Sequence, residues 1–187
     1  MRMISPSSLV GIVGIFAVSA LGGCGTETPD TNTPASAEKA AGGSDGKGIK
    51  QGDKAPQFAM DSMNGAGKMT IAPGKVTIVD FWATWCEPCK KSFPKLQELY
   101  VKYKANGLEI VAVSVDDEKN GITDFAKTHG AKFPVGWDDG KKLAEKWKPE
   151  NMPSSYIVGK DGTVKFIHRG YHDGEENEVE KELKSLF

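Results

Sequence analysis

Two cysteines three positions apart, Cys86 and Cys89, are the residues of this 187-residue chain whose type and spacing could do chemistry. A cysteine pair at this spacing, at the start of a helix, can close a small disulfide with little movement of the backbone. Half of a zinc site and a purely structural disulfide are the alternatives. The chain has no second pair of this kind and only three histidines to complete a metal site. The pattern therefore favours a redox-active pair that binds no metal.

The two thiols are expected to differ because a helix begins beside them. Unpaired backbone N–H groups and the helix dipole stabilise a negative charge at a helix N-terminus, which makes a thiolate there the more reactive sulfur. Cys86 is therefore the expected nucleophile. Cys89, one turn further into the helix, is expected to be shielded and to resolve the mixed disulfide. Pro88 suits the first turn, where its missing N–H costs no hydrogen bond, and Glu87 and Pro88 together are expected to tune the reduction potential.

The elements that must hold this pair follow from the hydrophobic periodicity of the chain. Strands are predicted at 57–61, 68–71, 75–82, 108–115, 133–137, 155–158 and 163–168, and helices at 88–105, 121–129, 140–147 and 175–186. The first two strands flank Asn64-Gly65-Ala66-Gly67 and form a hairpin-like pair. The order of the elements predicts an α/β fold, with a mixed central sheet flanked by helices on both faces and an N-terminal β-hairpin extension.

The segment after the first buried strand resembles a known active site. It reads Trp85-Cys86-Glu87-Pro88-Cys89-Lys90-Lys91-Ser92-Phe93-Pro94 and is similar to the TlpA/ResA-like family of membrane-tethered thiol–disulfide oxidoreductases. The resemblance extends from about Gly52 to the C-terminus. It implies a thioredoxin fold, a Cys86–Cys89 redox disulfide and no cofactor. It also implies reduction of disulfides in exported proteins such as apocytochrome c, with electrons from a membrane donor of the DsbD/CcdA type.

A carboxylate, Asp80, lies six residues before Cys86 within an apolar strand, where it is costly unless it has a partner or a role. The resemblance implies that Asp80 lies beneath Cys89 and assists its proton transfer. A carboxylate satisfied by backbone donors is the alternative. Two positions depart from the family pattern: Ala112 stands where thioredoxins place a lysine, and Ser92 stands where ResA-like members often have a glutamate.

A proline loop is expected to complete the substrate surface. Met152 and Pro153 precede a strand, and the resemblance implies a cis-proline that faces the cysteines. The Met152 backbone would then pair with an extended substrate as a short added strand. An ordinary trans proline is the alternative. The residues expected to bind substrate are Trp85, Glu87, Pro88, Met152 and Pro153.

The first 47 residues follow a pattern typical of an exported lipoprotein. The apolar run from Leu9 to Leu21 matches the hydrophobic region of a signal peptide and is shorter than the roughly 20 residues of a spanning helix. Leu21-Gly22-Gly23-Cys24 resembles a bacterial lipobox. It predicts a signal peptide over 1–23 and a lipid on Cys24. An ordinary signal peptide with a chance cysteine and an uncleaved anchor are the alternatives. We expect 24–47 to be a flexible tether and 48–187 to be the thioredoxin-like domain, on the extracytoplasmic (periplasmic) side of a bacterial membrane.

Composition and motif spacing argue against nucleic-acid binding and peroxide reduction, and they bear on copper binding as a further alternative. The net charge of −1 and the pI of about 6.3 argue against a nucleic-acid-binding surface. A peroxiredoxin-like peroxide reductase would need Pro at 79 and Thr or Ser at 83, where the chain has Val79 and Ala83. A copper-binding assembly factor, which usually spaces its cysteines one residue wider, is a further alternative. His168 and His172 are predicted to be surface-loop residues.

Overall fold

The computed structural model describes residues 48–187 of the protein. The predicted signal peptide, the predicted lipidation site Cys24 and the predicted tether lie outside the described residues. Within the described part, no helix is long and apolar enough to cross a membrane.

The described chain alternates strands and helices as predicted. The strands are β1 (Ala59–Asp61), β2 (Lys68–Thr70), β3 (Val76–Trp82), β4 (Leu108–Ser114), β5 (Val135–Trp137), β6 (Ser154–Val158) and β7 (Val164–Arg169). The helices are α1 (Glu87–Tyr103), α2 (Ile122–Thr128), α3 (Lys142–Trp147) and α4 (Glu175–Lys184). Every predicted element is present, with each end unchanged or moved by one or two residues.

Five strands form one mixed sheet in the order β5-β4-β3-β6-β7. β3 pairs in parallel with β4 and antiparallel with β6, while β6 and β7 form the antiparallel hairpin. Every residue of β3 is buried, which explains its nearly continuous apolar sequence. The parallel pairs need crossover connections, and α1 and α2 supply them.

Helices cover both faces of this sheet. Phe81, on one face of β3, packs against Trp147 of α3 with ring centroids 5.8 Å apart. Trp82, on the other face, packs against Phe93 of α1 at 4.6 Å. Helix α4 joins α1 through Glu180, which accepts hydrogen bonds from the Lys102 ammonium and the Tyr103 hydroxyl. The predicted fold class is therefore confirmed.

The predicted N-terminal hairpin forms a separate two-stranded sheet that packs beside β5. β1 and β2 pair antiparallel, and the Met63 N–H donates to the Val135 carbonyl at 2.7 Å. A Cβ atom added at Gly136 of β5 would lie 2.5 Å from the Met69 sulfur and 3.1 Å from the Met60 sulfur. The hairpin therefore contacts β5 at a point where only glycine leaves room for two methionines.

Two helix boundaries differ from the prediction for identifiable reasons. Helix α1 begins at Glu87 rather than Pro88 because Cys86 occupies the N-cap position. Helix α3 begins at Lys142 rather than Gly140 because Gly140 (φ 69°) and Lys141 (φ 57°) have left-handed backbone conformations. The Asp138 carboxylate accepts the N–H groups of Leu143 and Ala144. That carboxylate satisfies backbone donors at the start of the helix, a role that a single sequence does not reveal.

Candidate active site

The disulfide lies at the N-terminus of α1 and joins Cys86 to Cys89, whose Cα atoms are 5.3 Å apart. Cys86 caps the helix, and its sulfur accepts a hydrogen bond from the Cys89 N–H at 3.2 Å. Pro88 lies in the first turn of the helix. Cys86 retains 3% exposure while Cys89 has none. The two sulfurs therefore differ in solvent exposure. They also differ in electrostatic environment, because only Cys86 lies where helix N–H groups favour a thiolate.

A buried carboxylate, Asp116, holds the turn that leads into the disulfide. The Asp116 oxygens accept the Thr84 N–H at 3.0 Å and the Thr84 hydroxyl at 2.7 Å. The Ser114 hydroxyl also donates to Asp116, at 2.6 Å. The turn then closes with the Cys86 N–H donating to the Ala83 carbonyl at 3.1 Å. Asp116, which lies just after β4, thus fixes the backbone immediately before Cys86.

Asp80 lies at the centre of β3 and is wholly buried. Its Oδ1 accepts the Ser155 hydroxyl at 2.6 Å, whereas Oδ2 has no hydrogen-bond partner among residues 48–187. Burial raises the pKa of Asp80 to about 7; the Ser155 hydrogen bond opposes this rise and the charge of Glu175 adds to it. An acid with a pKa near neutrality can take up and release a proton at physiological pH.

A small pocket connects the Cys89 end of α1 to the partner of Asp80. Ser92, which lines the pocket, donates to the Cys89 carbonyl at 3.2 Å. Ser155, which bonds Asp80, lines the same pocket, as does Pro153. The pocket therefore brings α1 together with the proline loop and the adjoining strand β6, which lie far from α1 in the sequence.

The residues predicted to bind substrate fall into exposed and buried groups. Trp85 is 69% exposed, a high value for so large an apolar side chain. Glu87 and Pro88 are also exposed, and Glu87 forms an ion pair with Lys90 at 2.6 Å. Hydrogen bonding to Lys90 lowers the pKa of Glu87 below its usual range. The substrate-binding roles of these residues stay a prediction.

The proline loop lies at the start of β6. The Met152–Pro153 peptide bond is cis. Pro153 is buried and Met152 is half-buried, and the Pro153 carbonyl accepts the Gly170 N–H at 2.7 Å. This hydrogen bond ties the loop to the end of β7.

The prediction that His168 lies in a surface loop is wrong. His168 belongs to β7, and its side chain is only 11% exposed because it lies between two carboxylates of α4. Its Nε2 atom is 2.7 Å from Glu182 and its Nδ1 atom is 3.3 Å from Glu175. His172, by contrast, is exposed. His168 is buried by α4, a helix that follows it in the chain, and local sequence does not reveal that contact.

Sequence reasoning also missed Ser155 and Glu175. Ser155 is the register partner of both Asp80 and His168, so the three side chains form a row across β3, β6 and β7. Glu175 lines the pocket with Ser155 and is only 8% exposed. Their relevance comes from strand register, which the spacing of residues along the chain does not reveal.

Comparison with known proteins places this geometry among thiol–disulfide oxidoreductases. The model of the AhpC/TSA family matches residues 51–167. The thiol–disulfide oxidoreductase ResA of Bacillus subtilis is 34% identical over 123 residues, which cover 65% of this chain and 69% of that protein. ResA of Geobacillus kaustophilus is 32% identical over 139 residues, covering 74% of this chain and 79% of that protein.

Solved structures give the same result for the fold. A protein of Chlorobium tepidum assigned as the thiol:disulfide interchange protein DsbE superposes with a TM-score of 0.68 and 31% identity, over 74% of this chain and 98% of its own. StoA of Bacillus subtilis superposes with a TM-score of 0.59 and 24% identity, over 68% of this chain and 96% of its own. The likeness confirms the thioredoxin-like fold predicted from the sequence.

Proposed function

Since the chain belongs to the AhpC/TSA family and is a ResA-like thiol–disulfide oxidoreductase, we propose that it reduces disulfides of exported proteins, apocytochrome c among them, from a lipid-anchored position outside the cytoplasm. The observation that supports this most directly is the inequality of its two sulfurs. Cys86 caps α1 beside the exposed Trp85, and Cys89 is wholly buried. One sulfur is thus suited to attack a protein disulfide and the other to resolve the product.

The reaction uses Cys86 first. In the reduced protein its thiolate attacks one sulfur of the substrate disulfide, which forms a Cys86–substrate bond. The other substrate sulfur leaves with the electron pair of the broken bond and takes up a proton. The N-cap position favours this attack, because the helix N–H groups stabilise the Cys86 thiolate before it reacts.

Cys89 completes the exchange. Its thiol gives a proton to Asp80, and the resulting thiolate attacks the Cys86 sulfur. The Cys86–Cys89 disulfide forms, and the second substrate sulfur leaves with its electron pair and is protonated. The protein is then oxidised by two electrons. A membrane donor of the DsbD/CcdA type restores the dithiol.

Asp80 suits the role of proton acceptor for two reasons. Its pKa of about 7 lies close enough to that of a thiol for transfer in either direction. Ser155, which donates to Asp80, lines the same pocket as Ser92, which donates to the Cys89 carbonyl. The pocket supports a position for Asp80 close to the resolving thiol.

Trp85, Glu87, Pro88, Met152 and Pro153 are proposed to hold the substrate. The exposed Trp85 ring offers an apolar surface beside Cys86, and an exposed aromatic of this size is common at protein-binding surfaces. The Met152 backbone would pair with an extended substrate segment next to the disulfide.

The proposed location of the protein rests on the pattern of its first 47 residues. We propose that the signal peptide 1–23 is removed, that Cys24 receives lipid, and that 24–47 tethers the domain 48–187 to a bacterial membrane on its extracytoplasmic (periplasmic) side. More than one acyl chain would make the attachment stable, because each buried methylene contributes about 0.8 kcal/mol.

The test is disulfide reduction by the full-length protein, with insulin as substrate and dithiothreitol as electron source. We expect catalysis by the native protein, none by Cys86→Ser, and accumulation of a trapped mixed disulfide by Cys89→Ser. Copper retention or peroxide consumption without disulfide exchange would contradict the proposal and favour one of the two alternative functions.

The reduction potential tests the direction. A value near the roughly −270 mV of thioredoxin supports a reductase, and a value near the roughly −120 mV of a strong periplasmic oxidant reverses the proposed direction. Equilibration of the oxidised protein with defined thiol buffers measures it.

A further inference from the structure

A largely buried histidine lies between two carboxylates on the pocket side of the sheet. His168 places Nε2 2.7 Å from Glu182 and Nδ1 3.3 Å from Glu175. The His168 and Glu175 side chains are each 11% exposed. Carboxylates only accept hydrogen bonds, so both contacts are satisfied together when both ring nitrogens have protons. The geometry therefore favours the imidazolium form of His168.

Strand register connects this cluster to Asp80 through Ser155. Asp80, Ser155 and His168 are register partners on three adjacent strands, and partners in a register extend from the same face of a sheet. Ser155 bonds Asp80, and Ser155, His168 and Glu175 all line the pocket. One hydroxyl group thus lies between the buried carboxylate and the cluster.

We propose that His168, Glu175 and Glu182 form a positioning cluster that controls the proton on Asp80: the Glu175 charge favours protonated Asp80, and the His168 imidazolium limits that effect. The inference rests on the proposed role of Asp80 as the proton acceptor for Cys89. It assigns to β7 and α4 a part in a reaction that takes place at the N-terminus of α1.

The pKa shifts agree with this arrangement. Burial is the largest cause of the raised pKa of Asp80, and the charge of Glu175 raises it further. For His168, burial lowers the pKa, but hydrogen bonds and charges of Glu175 and Glu182 outweigh burial and raise it above its ordinary value.

The other charged groups around the pocket are paired or distant from Asp80. On α1, Lys95 is 3.9 Å from Glu176 of α4 and 3.4 Å from Glu98. The Tyr171 hydroxyl is 3.5 Å from Glu176. On β7, Arg169 pairs with Glu150 at 3.0 Å. On β4, the register partner of Asp80 is the uncharged Ala112. Glu175 is accordingly the charge on α4 that acts on Asp80.

Two substitutions have opposite expected effects. Glu175→Gln removes a negative charge, so the titration midpoint of Asp80 falls. His168→Gln leaves the charges of Glu175 and Glu182 uncompensated, so the midpoint rises. Each shift is expected to be about one pH unit, as for a charge acting across a short, partly desolvated distance. A loss of packing alone gives no reason for opposite signs.

The experiment follows the Asp80 carboxyl carbon by NMR in the oxidised full-length protein, labelled with ¹³C-aspartate and titrated from about pH 4 to 10. Asp80→Asn identifies the signal by its disappearance. Glu178→Gln, an exposed position on the same helix α4, is the matched control and is expected to leave the midpoint unchanged. Midpoints that stay fixed, or that move in the same direction in Glu175→Gln and His168→Gln, overturn the proposal.

A measurement on the native protein keeps the test independent of whether the variants fold. Asp80 and His168 are expected to titrate as a coupled pair, so the Asp80 carbon and the His168 ring nitrogens share two inflections. Independent single-step curves overturn the proposal.

The pH profile of insulin reduction is expected to move with the Asp80 midpoint in each variant. If the midpoints shift as expected but Asp80→Asn leaves that profile unchanged, the proposed role of Asp80 fails rather than its link to the cluster.

Discussion

Replacement of Asp80 by asparagine tests whether this buried carboxyl is an acid of near-neutral pKa. The substitution keeps the side-chain shape and the oxygen that accepts the Ser155 hydroxyl, and it removes the ionisable group. The Asp80 Oδ2 atom has no partner among the described residues, so an amide nitrogen at that position displaces no existing hydrogen bond. The main difference between the two proteins is therefore the cost of ionising a buried acid.

The size of that cost follows from the pKa, which is raised from 3.8 to about 7. At about 1.4 kcal/mol per pKa unit, the shift corresponds to about 4 kcal/mol. Well below pH 3.8 both the folded and unfolded states are protonated, and the group does not oppose folding. As the pH rises from 3.8 to about 7, the unfolded state ionises first, so the free energy of unfolding falls; above this range the loss is complete.

We expect Asp80→Asn to be close to the native protein in stability at pH 4 and more stable by up to about 4 kcal/mol at pH 8. Guanidinium unfolding of the two oxidised proteins at both pH values measures the difference in their free energies of unfolding. Comparing that difference at pH 4 with the difference at pH 8 removes the pH effects that the two proteins share. Asp173→Asn, at an exposed position, is the control. A stability difference that stays within about 1 kcal/mol between pH 4 and pH 8 would refute a near-neutral pKa for Asp80.

Three further outcomes can be measured independently. Asp116→Ala leaves the Thr84 N–H and hydroxyl without their acceptor and is expected to lower the free energy of unfolding by about 2–3 kcal/mol and to slow insulin reduction; an unchanged denaturation midpoint would contradict this. Gly136→Ala places a Cβ against the Met69 sulfur and is expected to destabilise by about 1–3 kcal/mol in thermal unfolding, whereas a neutral effect would mean that the hairpin repacks freely. Cys24→Ala is expected to abolish incorporation of labelled fatty acid in cells, and retained label would exclude lipidation at this residue.

The sequence predicted the elements and the dithiol well because both depend on local patterns. Apolar runs defined β3 and β4, and the spacing of Cys86 and Cys89 depends on a single helical turn. The burial of Asp80 could also be predicted, since a single carboxylate interrupts an apolar strand. Each of these inferences needs only residues within one element or its immediate neighbours.

The remainder of the site depends on contacts between distant segments, which local patterns do not contain. Ser155 bonds Asp80 across 75 residues because β6 borders β3 in the sheet. His168 was misplaced for the same reason: its burial results from α4, which packs over β7 and supplies both of its carboxylate partners. Asp116 supports Thr84 across 32 residues, at the ends of two parallel strands.

The two sulfurs depend on different parts of the fold, and the strand order explains the division. Cys86 needs only the first turn of α1, where helix N–H groups stabilise its thiolate. Cys89 is wholly buried, so its proton has no direct route to solvent and needs an acceptor inside the protein. Asp80 is suited to that task, and the order β3-β6-β7 connects it to the C-terminal strand and helix. Perturbation of α4 is therefore expected to slow the resolving step at Cys89 more than the initial attack by Cys86.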